Sequence, residues 1–298
     1  GLRRSGALVV ARDGDEAAAL ERELALRIAL GLEVERVLPS AARRMEPALA
    51  PTVRLALDVP GDHSADPRAL VLALAEAARR AGVTLRTGAS VERIEQSGDR
   101  VVTGVGLAGG EVLRARRVIV AAGAWSGAID GLPRIPLRPV KGQIMRLRDP
   151  SGPGLVERIV RWGPPAPGYL VPRGDGRYVL GATTEERGFD TTVTAGGLYE
   201  LLRDAGELVP GVHDLVVEEM SAGLRPATPD NAPVLGPAAE LEGLHWATGH
   251  HRNGILLAPV TADIVAGGLD RPAGRAGASE RNDVPPAFAA ARFAGAHA

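Results

Sequence analysis

Two segments of this chain carry residues whose types and spacing can do chemistry. In SAGLRPATPDNAPVLG, residues 221–236, Arg225 stands between a Gly-Leu pair and a proline. In TGHHRNGILLAPVTADIVAGGL, residues 248–269, Arg252 stands in a polar loop that runs straight into a helical pattern. An arginine on a helix face is ordinarily a solvated surface charge, whereas these two sit in Gly- and Pro-punctuated turns. A loop feeding a helix start leaves the backbone N–H groups around Asn253 to Leu256 without intrahelical partners. That end of a helix carries partial positive charge and favours an anionic partner.

Other chemistries fit the residues less well. The histidines His63, His213, His245, His250, His251 and His297 form no HxxxH pair and no carboxylate-spaced set, so no metal site is expected. Ser126 lies in GAWSG, off the spacing of a GxSxG nucleophile turn and with no acid or base placed to activate it, which sets a hydrolase aside. The absence of cysteine excludes disulfides, thiolate metal sites, Cys nucleophiles and a cofactor tethered through sulfur. Gly104, Gly106 and Gly109 match GxGxxG formally, but Glu111 to Val120 continues as strand where a phosphate-binding turn needs a helix start, so the segment reads as a hairpin.

Composition narrows the partners. Across 298 residues, 35 Lys+Arg against 36 Asp+Glu leave a formal charge of −1, without the basic patch that nucleic acid or an anionic membrane surface requires. No apolar stretch approaches the ~20 residues of a membrane helix, and the start has no signal-peptide pattern. The expectation is a soluble, cytoplasmic chain with neither nucleic acid nor membrane as partner. The first residue is Gly1 rather than Met, which reads as a fragment.

The elements that would position these residues follow from periodicity. Residues 14–31 read as a helix capped by Asp13 or Asp15 and ended by Gly31. Leu55 to Val59 is a short apolar stretch. Asp66 caps a second helix with Pro67 at its first position, and Leu70, Ala73, Leu74, Ala77, Ala78 and Ala81 form an apolar stripe suited to packing on a sheet. Val83 to Arg86, Val91 to Glu95, Arg100 to Gly106 and Val112 to Ala122 read as four strands, the last a buried central one. Leu137 to Val217 reads as an antiparallel layer closed by a helix over Thr194 to Leu208. Ile255 to Gly267 reads as a final amphipathic helix, and the Ala-, Gly- and Pro-rich stretch from Arg271 as a poorly ordered tail. The fold class is α/β (α+β).

At its particular segments the chain resembles the FAD-dependent D-amino acid oxidase superfamily, and within it the glycine oxidases of thiamine biosynthesis. The matching residues are Pro60-Gly61 with Asp66-Pro67-Arg68, Val91 to Ile94, Val120 to Ser126, Arg138 to Gln143, Tyr169 to Arg173, Gly181 to Thr183, Gly223 to Pro226 and Gly249 to Leu256, in order along almost the whole chain. The resemblance implies a Rossmann-like FAD-binding domain, 59–131 with 221–270, interleaved with an antiparallel-sheet substrate domain, 1–58 with 132–220, and a tail, 271–298. It also implies that a strand, a GxGxxG turn, a helix and a ribose-binding acid precede Gly1. Without that βαβ unit the sheet exposes an apolar edge, from which self-association into a homo-oligomer is expected.

Carried over residue by residue, Val91 resembles the backbone contact to the adenine side of non-covalently bound FAD. His250, His251, Arg252, Asn253, Gly254, Ile255 and Leu256 resemble the loop whose amides meet the flavin pyrimidine ring, and Ala122, Gly123 and Trp125 fall in a further cofactor segment. Arg225 resembles the clamp for the substrate carboxylate and Tyr169 the hydroxyl that completes it, with Arg252 in support from the flavin side. Thr184 stands where relatives carry Met, and His251 where they carry Tyr or Phe. The implied reaction is oxidative deamination of glycine, sarcosine or a small D-amino acid by hydride transfer to flavin N5, with no protein acid or base. Oxygen is the acceptor, and glyoxylate, ammonia and hydrogen peroxide are the products. The rivals are a sarcosine or D-amino acid oxidase or dehydrogenase, and a truncated chain that does not hold FAD.

Overall fold

In a computed structural model the described residues are 1–152, 154–163, 167–269 and 284–293. They divide into two compact units, each assembled from separate stretches of chain: 1–82, 141–185 and 190–223 in the first, and 83–140, 186–189 and 224–298 in the second. The fold is mixed α/β, and the division falls inside two strands, Arg138–Arg148 and Val216–Ala227.

The first unit is built on an eight-stranded sheet in the order 216–227, 138–148, 177–181, 168–172, 159–162, 7–11, 55–59, 35–37. From 138–148 onward the pairings are antiparallel except that of 159–162 with 7–11, which is parallel. Strand Ala7–Ala11 has no periodic signal in the sequence, since a continuous apolar run of five shows no alternation. Its five residues are all buried. Successive side chains point to opposite faces, so Leu8 and Val10 join the core beneath helix Ala195–Leu208 while Val9 and Ala11 pack with Leu20 of helix Gly14–Ala29. Leu201, Ala205 and Leu208 of the first of these helices meet Trp162, Leu170 and Leu180 of the sheet.

The second unit holds two small sheets. Strand 244–248 lies between 234–237, antiparallel, and Val118–Val120, parallel. The other is a meander of 91–96, 102–107 and 112–114. Trp246, Val234, Leu244, Leu241, Val120 and Ile94 form its core. The formal GxGxxG lies in this meander: Gly104 has φ +156, and a Cβ there would stand 2.2 Å from the Leu113 carbonyl oxygen. That is the hairpin expected, with backbone too close for any side chain.

Several expectations need correction. Val83–Arg86 is irregular, with Val83 and Leu85 exposed; a β-prone alternation becomes a strand only against a partner. Val112 to Ala122 is two short strands, and Val118–Val120 is an edge, not a buried centre, with Ile119 44% exposed. Helix Pro67–Arg80 is capped as expected, Asp66 accepting from the Arg68 and Ala69 N–H groups, yet it buries no residue and Leu72 is 72% exposed. Helix Gly254–Leu269 is apolar nearly all round rather than amphipathic, burying Ile264 and Val265 while Leu256 is 78% exposed. Of the tail, 271–283 and 294–298 lie outside the described residues. Residues 284–293 are ordered in two 3-10 turns, because Arg292 bonds the Asp230 carboxylate and Phe293 and Ala290 pack on the core of this unit. Among the described residues no helix is long and apolar enough to cross a membrane.

Candidate functional site

The second unit contains a cavity of about 810 Å³ walled by Ser90, Val91, Ile94, Val118 to Ala122, Trp125 and Asp130, among others. Its size and its apolar wall with a few polar groups suit a cofactor. The wall is positioned by hydroxyls. Ser126 and Thr248 are buried; the Ser126 hydroxyl donates to Thr248 Oγ1 at 2.9 Å, and that hydroxyl donates to the Gly123 carbonyl at 3.1 Å. The turn Gly123–Trp125 is thereby fixed to strand 244–248, and Gly123, at φ +56, takes a left-handed conformation that an L side chain resists. Ser126 is thus a structural hydroxyl. Trp125 packs on Phe189 with ring centroids 6.0 Å apart.

The same unit holds a second feature around His251. The Ala227–His250 bridge and the bond from the His251 N–H to the Pro226 carbonyl, 2.8 Å, tie the Arg225-bearing strand end to the loop before helix Gly254–Leu269. His251 adopts φ +47, a left-handed conformation costing a non-glycine residue roughly 1–2 kcal/mol, and that bond helps hold it there. Gly249 is required by close approach: a Cβ would stand 3.2 Å from the Val234 backbone nitrogen at φ +77. Burial pushes the His251 imidazole below its ordinary pKa, and Arg225, Arg252 and Arg138 push it further, against Glu186. His250 is lowered by burial alone, its Nε2 lying 2.9 Å from Thr261 Oγ1. The first intrahelical bond here runs from the Leu257 N–H to the Asn253 carbonyl, 2.9 Å, so the amides of Gly254, Ile255 and Leu256 belong to the uncompensated helix start.

Of the cofactor residues expected from sequence, Val91, Ala122 and Trp125 line the one cavity, with Gly123 in the turn beside them. His250 to Leu256 are not among that cavity's walls and instead form the helix start with Arg225 and Arg252 near His251. Tyr169 and Thr184 lie in the first unit, Tyr169 half-buried on strand 168–172 opposite Gly181 and Thr184 exposed just past strand 177–181. Sequence reasoning did not single out Arg138 as a charge on His251. It stands in a proline-flanked segment, the same cue that marked Arg225. Ser90, Ile94 and Asp130 carry no local signal; they reach the wall through the pairing of 91–96 and the Arg93–Asp130 bridge.

The family profile described as "FAD dependent oxidoreductase" matches residues 1–267. Glycine oxidase from Geobacillus kaustophilus is 35% identical over 277 residues, covering 91% of this chain and 71% of that protein. Hydrogen cyanide synthase subunit HcnC from Pseudomonas aeruginosa is 35% identical over 89% of this chain, and the bifunctional protein ThiO/ThiG from Nostoc is 40% identical over 76% of it. The chain spans 63% and 34% of the lengths of these two. The crystal structure of the Geobacillus glycine oxidase superposes with a TM-score of 0.85 at 32% identity, covering 96% of this chain and 76% of that one. An iminodiacetate oxidase from Chelativorans gives 0.81 at 31%, covering 95% and 76%.

Proposed function

The chain belongs to the FAD-dependent oxidoreductase family, and from that premise we propose that it serves oxidative deamination of a small amino acid, glycine foremost, with sarcosine and small D-amino acids as the neighbouring substrates. The observation that carries this reading is the cluster of Arg225, Arg252 and Arg138 acting on His251 beside an uncompensated helix start. Two separate features support FAD: the 810 Å³ cavity with apolar walls at Val91, Ala122 and Trp125, and, outside that cavity's walls, the first-turn amides at Gly254 to Leu256, suited to an electron-rich ring. When bound, FAD supplies the two-electron acceptor for a substrate C–H and hands the electrons to oxygen, giving hydrogen peroxide.

The chain's own residues bind and orient. Arg225 holds the substrate carboxylate through a planar guanidinium, a role a lysine does not reproduce. Tyr169 and Thr184 of the first unit, and Arg252, are further proposed substrate contacts. Burial and then its cationic neighbours disfavour the charged form of His251. No protein acid or base is assigned: positioning a neutral amine carries the rate, and the imine product hydrolyses in water to glyoxylate and ammonia. The thiamine-pathway role implied by the resemblance is kept as part of this proposal. The test is steady-state kinetics of an Arg225→Ala variant on glycine. Severely raised KM with unchanged flavin content supports the role, and unchanged turnover removes it.

A further inference from the structure

The segment Arg138 to Gln143 contains Lys141 and Gln143, which the proposed function leaves unused. Both are fully enclosed: the Lys141 side chain is 1% exposed and Gln143 is 0% exposed. A lysine is almost never fully buried without partners, and here its Nζ lies 3.2 Å from the Asp190 carboxylate and 3.7 Å from that of Glu185. Its backbone exchanges both bonds with Glu185, N–H to carbonyl at 2.9 and 3.0 Å. Gln143 completes the set. Its side-chain amide donates to the Glu185 carboxylate at 2.8 Å and to the Thr194 hydroxyl at 3.0 Å, and accepts from the Thr194 N–H at 2.8 Å. The Thr183 hydroxyl accepts from the Gln143 N–H at 2.9 Å and donates to Glu185 at 2.5 Å.

These bonds converge on four points of one stretch of chain, residues 183, 185, 190 and 194. Thr184 lies between two of them. The strand that leads into this stretch, Arg177–Gly181, also backs Tyr169: Tyr169 pairs with Gly181, and a Cβ at 181 would stand 2.8 Å from the Tyr169 hydroxyl. Stability alone does not demand such an arrangement, because a buried ion pair replaced by apolar groups of similar volume is often neutral or stabilising. What a fully satisfied polar network gives is one defined conformation.

We propose that Lys141 and Gln143 are positioning residues that hold Thr184 and the Tyr169 hydroxyl where the substrate meets them. This rests on the substrate roles proposed above. The experiment uses the full chain loaded with FAD, comparing wild type with Lys141→Met, Lys141→Arg and the milder Thr183→Val. Amide exchange over 182–194, the glycine KM and kcat, and the Kd of acetate read from the shift of the flavin band are measured together. Lys141→Met is expected to speed exchange in that segment at least about tenfold and to raise KM and the acetate Kd about 10- to 100-fold, with kcat and flavin content moved much less. Lys141→Arg recovers part of both, and Thr183→Val moves both in the same direction by less. Unchanged exchange overturns the proposal, and so does faster exchange with unchanged KM and acetate Kd. If Lys141→Met does not fold, Thr183→Val decides by the same two criteria. If wild type turns over no glycine, the reading of the substrate fails by itself, and exchange with the acetate Kd still decides the positioning claim.

Discussion

Two groups of cations, one in each unit, are handled differently: Lys141 is buried, whereas Arg138 and Arg252 are exposed. Lys141 in the first unit is matched by carboxylates, Asp190 and Glu185, within a network of satisfied hydrogen bonds. Around His251 in the second unit, the charges that act are the guanidiniums of Arg138, Arg225 and Arg252 against the Glu186 carboxylate. The first region consumes its charge internally and fixes a conformation. The second sets three guanidiniums, one of them paired with Glu186 at 3.2 Å, around a His251 held in a left-handed conformation beside a helix start.

The largest effect expected breaks the closed region itself. Leu180 is fully buried between sheet and helix, and Leu180→Ala should cost about 2–5 kcal/mol, whereas Leu256→Ala on the exposed helix start of the second unit should stay within about 0.5 kcal/mol. Denaturant midpoints of the two variants measure this, and equal losses would erase the contrast. Next comes the open region: Arg225→Ala should lower kcat/KM for glycine about 10- to 100-fold through loss of a charge-assisted bond, and Arg225→Lys should recover little of it.

The pH response should differ as well. Asp190 is held down to about 2 by the Thr192 N–H and hydroxyl and then by Lys141. An acid whose folded pKa lies below its unfolded value, ~3.9, binds fewer protons when folded. Its contribution to stability is therefore present above pH ~4 and lost as pH falls towards 2. Acid titration of unfolding should show that loss in wild type and a flatter profile in Asp190→Asn. The smallest effect falls on His251, whose pKa should rise in Arg225→Ala but stay below its ordinary value, because burial, the first cause of its depression, remains. Ring-proton NMR against pH reads this. A fall, or no change, would show that Arg225 does not act on the imidazole.

The same contrast explains what could be read from the sequence. Local chemistry was legible: Asp66 caps its helix through bonds two and three residues away, and Gly104 lies in the expected hairpin, paired with Arg114. Arg252 stands in the turn that its neighbours announce, whereas Arg225, expected in a turn, lies near the end of strand Val216–Ala227, because a strand can run through Gly and Pro where partners pair with it. What was not legible depends on distant chain. Lys141 meets Asp190 across 49 residues and Gln143 meets Thr194 across 51. No periodicity encodes either pairing. The apolar stripe on Pro67–Arg80 and the alternation at Val83–Arg86 misled for the complementary reason: pattern shows which face would be buried, not that a surface is there to bury it.

The most direct test of the central claim is the visible absorption spectrum of the purified chain mixed with FAD and freed of excess, recorded before and after anaerobic glycine. A retained flavin band that bleaches on glycine and returns with oxygen is the result expected. A retained band that glycine leaves untouched, or no retained band at all, would contradict it.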